Sequence, residues 1–284
     1  MQQTRTYIEN SLKTLYPPGE ISGFIRLVLS HACKMSFTQQ ILCKDTQIPE
    51  NEKKIIASIV ERLKKMEPIQ YILGETEFYS LPFFVDSSVL IPRPETEELV
   101  DMIIRDARDG AFRKILDIGT GSGCIAVVLA KHIDNAEVTA IDISENALET
   151  AKRNALRNNT EALFVKADIL NDSERPEALS GNFNIIVANP PYILKSEKAE
   201  MKANVLDYEP HIALFADDED PLLFYRAIAR FASCHLESYG CIYLEINPLY
   251  SDDLLKMLAG QGFSHAEILP DLSGKKRFIK ATKI

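Results

Sequence analysis

Ile115-Leu116-Asp117-Ile118-Gly119-Thr120-Gly121-Ser122-Gly123-Cys124 is the stretch on which the fold turns. Its apolar start reads as a buried strand, its glycines as a tight turn, and Cys124 onward as a helix opening directly behind. Glycine lets a backbone turn sharply and approach a ligand closely, and a helix start offers unpaired N–H groups. The spacing is Gly-x-Gly-x-Gly, not the Gly-x-Gly-x-x-Gly of dinucleotide binders. Asp117, just inside the strand, is unusual beside a pyrophosphate and suits a cationic ligand, an ammonium or a sulfonium.

Outward from this stretch, strands and helices alternate. Strand-like runs cover 137–142, 162–165, 183–188 and 240–246, with helical patterns over 125–133, 147–158, 222–236 and 252–258. Alternation of this kind predicts a mostly parallel sheet covered on both faces. The last two runs, 264–269 and 277–281, are too close for a helical crossover and must pair antiparallel. The expected architecture is therefore an α/β, mostly parallel sheet ending in an antiparallel hairpin, an arrangement typical of one large methyltransferase fold.

Open α/β sheets bind ligands at the C-terminal ends of their strands. Asp142 ends the second strand, where a carboxylate can accept from both ribose hydroxyls. Asp168 follows the third, where it can accept from an adenine amino group. A solvated loop acid is the plain alternative for either one alone. Three acids and three glycines along one sheet edge together fit S-adenosylmethionine.

At the end of the fourth strand stands Asn189-Pro190-Pro191-Tyr192. Each proline fixes φ and lacks an N–H, so the corner is stiff and leaves carbonyls free. The Asn189 side-chain oxygen and the Pro190 backbone oxygen can grip a planar –NH2, with the Tyr192 ring against its face. The catalytic candidates are Asn189, Pro190 and Tyr192. The substrate-binding candidates are these three with Pro191 and Arg93, which Pro92 and Pro94 hold at a fixed angle. No metal is required, and the five histidines are scattered along the chain.

The first seventy residues carry helical stripes at Tyr7-Ile8-Leu12-Leu15, Ile21-Phe24-Ile25-Val28-Leu29 and Ile55-Ile56-Ile59-Val60-Leu63, broken by prolines. They hold no catalytic set, so a small all-α domain that binds or positions a partner is expected. Phe78, Tyr79, Phe83 and Phe84 around Leu81-Pro82 suggest a β-hairpin joining two domains. The predicted division is 1–73 helical, 74–93 hairpin and linker, and 94–284 the α/β domain. A net charge of −9 argues against a protein held mainly by phosphate backbones. Five cysteines without a Cys-x-x-Cys pair read as reduced, mostly buried residues. No stretch approaches the roughly 20 apolar residues of a membrane span, so a cytoplasmic location is the default.

With these residues in hand, the chain resembles the peptide-chain release-factor glutamine methyltransferases. The matching stretches are Pro68-Ile69-Gln70-Tyr71-Ile72-Leu73-Gly74, Phe78-Tyr79, Leu90-Ile91-Pro92-Arg93-Pro94-Glu95-Thr96-Glu97, Asp117 to Gly123 and Asn189 to Tyr192. Glu209-Pro210, Ala213-Leu214 and Tyr225-Arg226 match as well. The resemblance implies a class I S-adenosylmethionine-dependent methyltransferase with a seven-stranded sheet. Its substrate would be the glutamine of the Gly-Gly-Gln loop in release factors, held by Asn189 and the following Pro-Tyr segment. The implied cofactor set is Asp117, Gly119, Thr120, Gly121, Ser122, Gly123, Asp142, Asp168, Ile169 and Asn189, with Ile169 against the adenine.

Three departures stand out. Ile169 occupies a position where an aromatic residue is common. Ala216-Asp217-Asp218 replaces a Gly-Gly pair, and Glu245-Ile246-Asn247-Pro248 lacks the usual glycine after Glu-Ile. The last two are expected to alter loop shape outside the pocket. Three other readings share some of these features: a ribosomal-protein glutamine methyltransferase, a DNA adenine methyltransferase that flips its base, and a cofactor-binding module without activity. No DNA-recognition region accompanies the second, and the third predicts loss of Asn189 or the glycines. No direct nucleic-acid substrate is expected.

Overall fold

The computed structural model describes residues 1–107, 114–171, 173 and 175–283. They form two units: Met1–Gly74 with Lys202–Tyr208, and Glu75–Met201 with Glu209–Ile284.

The first unit is helical: α1 (Gln2–Leu12), α2 (Pro18–Cys33), α3 (Phe37–Leu42), α4 (Glu50–Leu63) and α5 (Ile69–Leu73). Pro18 at the first turn of α2 and Glu50 and Glu52 at the start of α4 are favourable helix-start chemistry. Ile8, Leu12, Val28, Leu29, Ile56, Val60 and Leu63 form its core, and the Tyr16 hydroxyl donates to the Leu63 carbonyl at 2.7 Å. Within the expected stripes, Tyr7, Leu15 and Ile55 face outward. Helix α3 has no counterpart among those stripes. Its buried residue is Gln40, which donates to the Arg26 and Met35 carbonyls, while Phe37, Ile41 and Leu42 are exposed. A Ser36–Gln39 capping box starts it instead of an apolar period. The short α9 (Ala203–Leu206) also belongs to this unit, and Tyr208 donates to the Lys65 carbonyl at 2.8 Å.

The second unit opens with the hairpin β1 (Glu75–Phe78) and β2 (Leu81–Phe84). The sequence suggests a connector here; the structure makes it part of the α/β unit. Phe78 and Phe83 are buried in one core with Leu99, Ile103 and Val127, each such ring worth about 1.5–3 kcal/mol of burial. Helix α6 (Pro94–Asp106) follows, then β3 (Lys114–Ile118), α7 (Cys124–His132), β4 (Glu137–Asp142), α8 (Glu145–Arg157), β5 (Leu163–Lys166) and β6 (Phe183–Ala188). The short α10 (His211–Leu214) leads to α11 (Leu223–His235), β7 (Leu236–Glu245), α12 (Ser251–Gly260), β8 (Phe263–Pro270) and β9 (Lys276–Lys283).

Seven strands form one sheet in the order β5-β4-β3-β6-β7-β9-β8. The first five run parallel, and β9 pairs antiparallel with both β7 and β8. The expected class of sheet is present, with its C-terminal hairpin. Helices α6, α7 and α8 lie over one face and α11 and α12 over the other, giving two cores. Register then sets the working edge. Ile118 pairs with Ala188 on one side and with Ile141 on the other. The next residues, Gly119, Asn189 and Asp142, therefore leave three adjacent strands at one level.

Candidate active site

Gly119 and Gly121 adopt φ of +73° and +54°, and the space a Cβ would take at either is open. The loop is folded over β4 by bonds of 2.9 Å from the Gly119 and Thr120 N–H groups to the Ile141 carbonyl. Gly123, at φ +78°, serves packing: a Cβ there would lie 2.9 Å from the Ala151 Cβ. Only glycine lets α7 begin this close to α8. Asn154 of α8 braces the same region, donating to the Ser122 and Phe84 carbonyls and accepting from the Phe84 N–H.

Asp142 accepts from the N–H of Gly121 and of Ser144, each at 2.9 Å and each on a different oxygen. Burial raises its pKa, and those bonds work against the shift. Asp117 does not face the opening. It is fully buried beneath the loop and accepts from the Thr120 hydroxyl at 2.6 Å, while its other oxygen accepts no well-formed hydrogen bond among the described residues. Burial pushes its carboxyl up to about 7. The sequence suggests a contact with a cationic ligand here; in the structure Asp117 supports the glycine loop from within.

A cavity of about 290 Å³ lies along the strand ends. Gly119, Gly121, Asp142, Asp168, Ile169, Asn189, Pro190 and Pro191 all line it. Ile141, Ile143, Ala147 and Ala167 give it an apolar wall on the Asp142 side. Thr120, Ser122, Gly123, Tyr192 and Arg93 do not line it. Arg93 donates to the buried Glu209 carboxylate at 2.6 Å, which also accepts from the Ile91 N–H. The pair pins the segment whose Val89 and Leu90 line the cavity.

The proline corner is fixed from behind by side chains. The Tyr192 hydroxyl donates to Glu245 Oε1 at 3.0 Å, and its partly buried ring packs against the core as an anchor and does not line the cavity. Thr96 donates to Glu245 Oε2 at 2.7 Å, and Asn189 Nδ2 donates to Thr96 Oγ1 at 3.3 Å. The Asn189 Oδ1 accepts from no donor among the described residues. Burial raises the Glu245 pKa, opposed by Thr96, Tyr192 and the charge of Arg277.

Residues 5–74 match the PrmC N-terminal domain, and residues 96–207 match the methyltransferase small domain. A release factor glutamine methyltransferase of Flavobacterium psychrophilum is 42% identical over 97% of this chain and 96% of its own. One of Bacteroides thetaiotaomicron is 40% identical over the full length of both. The chain belongs to the release factor glutamine methyltransferase family. A Thermus thermophilus 16S rRNA N2 G1207 methyltransferase, solved with AdoMet and guanosine, shares the fold at 20% identity and TM-score 0.52. It covers 74% of this chain and 50% of its own.

Within the family pattern, two departures gain a structural meaning. Asn247, at the position of a usual glycine, donates to the Tyr192 carbonyl at 3.2 Å and accepts from the Leu249 N–H. Asn247 lies outside the cavity, as expected, and from there it ties the corner down. Asp218 accepts from the Lys195 N–H at 2.6 Å, beside the Ile193–Phe215 bridge. Thr96, Glu245 and Asn247 were not singled out as site residues in the sequence. Thr96 hides between two glutamates at a helix start, where polar residues need no further reason.

Proposed function

We propose that this protein transfers a methyl group from S-adenosylmethionine to the side-chain amide nitrogen of the glutamine in the Gly-Gly-Gln loop of peptide chain release factors. The carrying observation is the Ile118–Ala188 register, which brings Asn189 and Pro190 onto one cavity with Gly119, Gly121 and Asp142. Membership of the family supports the choice of substrate.

The cavity fits the cofactor. Gly119 and Gly121 leave open the space where side chains would stand, and the Asp142 oxygens each retain acceptor capacity for the ribose hydroxyls. Ile141, Ile143 and Ile169 suit an adenine face, with Asp168 at its edge. S-Adenosylmethionine supplies, when bound, an electrophilic methyl on a sulfonium that departs as a neutral thioether.

An amide nitrogen is a poor nucleophile because its lone pair is shared with the carbonyl. Asn189 Oδ1 and the Pro190 carbonyl accept hydrogen bonds from its two N–H groups, orient the lone pair, and favour the positive charge that grows as the N–C bond forms. One of those two N–H protons is then lost to solvent, which leaves the neutral N-methylamide. Tyr192, Glu245 and Asn247 keep those acceptors in place. Arg93, through Glu209, shapes the Val89–Leu90 side of the opening. The helical unit is assigned to recognition of the protein substrate, in keeping with the match of residues 5–74 to the PrmC N-terminal domain. Among the described residues no helix is long and apolar enough to cross a membrane, and we place the reaction in the cytoplasm, where release factors act.

The test offers release factor, ribosomal protein and duplex DNA side by side with methyl-labelled cofactor. Label is expected on the release-factor glutamine. Label on DNA alone would overturn the proposal, and label on the ribosomal protein alone would replace the substrate.

A further inference from the structure

Thr96 is 3% exposed, although it sits in the first turn of a helix between two partly exposed glutamates. Its hydroxyl lies 2.7 Å from Glu245 Oε2, and Glu245 is itself 1% exposed. The other Glu245 oxygen accepts from Tyr192. An ionised carboxylate can only accept, so the Thr96 proton is committed to it. The Thr96 oxygen therefore meets Asn189 as an acceptor, and the group it faces at 3.3 Å is the Nδ2 amide.

This matters because the two ends of an asparagine amide have nearly the same shape. Packing alone does not tell them apart; the hydrogen-bond partners do. If NH2 pointed at the cavity, it would oppose the substrate –NH2 donor to donor. We propose that Glu245 and Thr96 form a polar relay that fixes the flip of the Asn189 amide, so that Oδ1 is always the atom presented to the substrate. The inference rests on the amide-methylation reading above. Thr96 and Glu245 are positioning residues, because they act through Asn189.

The reverse relay needs a protonated Glu245. Glu245 would then donate to Thr96, Thr96 to the Asn189 oxygen, and NH2 would turn outward. Burial and, less, the neighbouring Glu95 raise the Glu245 pKa, and the bonds from Thr96 and Tyr192 with the charge of Arg277 oppose that rise and hold the ionised form. Three groups from α6, the proline corner and β9 thus converge on one carboxylate at the end of β7.

The test compares Thr96→Val, Thr96→Ala and Thr96→Ser in the full-length enzyme, with a release factor as substrate. Valine keeps the shape and removes the acceptor; alanine covers the case in which valine does not fold. Losing a hydrogen bond of this type is expected to lower kcat about tenfold. Cofactor affinity by calorimetry and KM for the protein substrate should stay within about twofold. Thr96→Ser, which keeps the hydroxyl, should recover most of the lost kcat. Wild-type kcat in the Val and Ala variants would overturn the relay. A serine variant as slow as valine, or loss of cofactor binding in step with kcat, would overturn it too, by showing a packing role. Failure of the wild-type enzyme to methylate any glutamine amide would instead remove the functional reading, and that control comes first.

Discussion

The two halves of the working edge are made of different material. Around Gly119, Gly121 and Asp142 the surface is backbone: glycines at positive φ, N–H groups and one acid clamped by two of them. Around Asn189 it is side chain: Thr96, Tyr192, Glu245 and Asn247 reach in from separate parts of the chain. A backbone-built half binds by shape and tolerates little at its glycines. A side-chain-built half sets which atom a residue such as Asn189 presents and, on the reading proposed above, fails by losing orientation, not by unfolding.

The sharpest test of that contrast is Asn189→Ala. Turnover on a release factor should drop by about a hundredfold or more, as for removal of a hydrogen-bonding group aimed at a transition state. Cofactor affinity should hold in calorimetry; if it collapses with turnover, the two halves are not separable. Gly123→Ala attacks the other half. The added Cβ meets Ala151 at 2.9 Å with φ at +78°, so about 3 kcal/mol of stability should be lost in denaturant unfolding. Gly121→Ala meets nothing within 4 Å and should cost only the strain of its φ, about 1–2 kcal/mol. Equal losses for the two would show that Ala151 yields freely.

Asp117 sharpens the comparison through pH. Its folded pKa is about 7, above the roughly 3.9 of an unfolded aspartate. The folded state keeps this proton longer than the unfolded state does. Its contribution to stability is therefore fully present below about pH 4 and is lost as pH rises through 7. Asp117→Asn should flatten that part of the stability curve relative to wild type. Curves that remain parallel from pH 4 to 7 would show that Asp117 titrates normally. The smallest effect is expected for Asn247→Gly. Removing one tether to Tyr192 and one cap on Leu249 should cost about 1 kcal/mol in thermal unfolding and a few-fold in kcat. An unchanged kcat would show that Tyr192 is held well enough by Glu245.

The same division explains what could be read in advance. The run from Ile115 to Cys124 announces strand, turn and helix because glycine at positive φ is written in the chain itself. The alternation after it yields the sheet and its antiparallel end. The Asn189 corner is visible for a similar reason, since its prolines are local. Its supports are not: Thr96, Asn189 and Glu245 are brought together by β6–β7 pairing and by the start of α6, and sequence spacing carries no trace of that contact. Tyr192 was legible as a residue but not as an anchor, because its partner is more than fifty positions away. Helix α3 escaped notice because its buried residue is an amide, and α9 because only the fold reveals which unit its segment joins.

Strand β9 follows β8 in the chain yet lies inside it, with Phe278 beside Glu245 and the Arg277 carbonyl bonded to the Ile246 N–H at 2.9 Å. During synthesis β7 therefore waits with an open edge, a ready template for wrong pairing, until β9, made after β8, slots in between them. The carboxylate that steadies the Asn189 corner gains its neighbour only then. A nascent chain can thus own a finished glycine loop well before it owns a finished Asn189 corner.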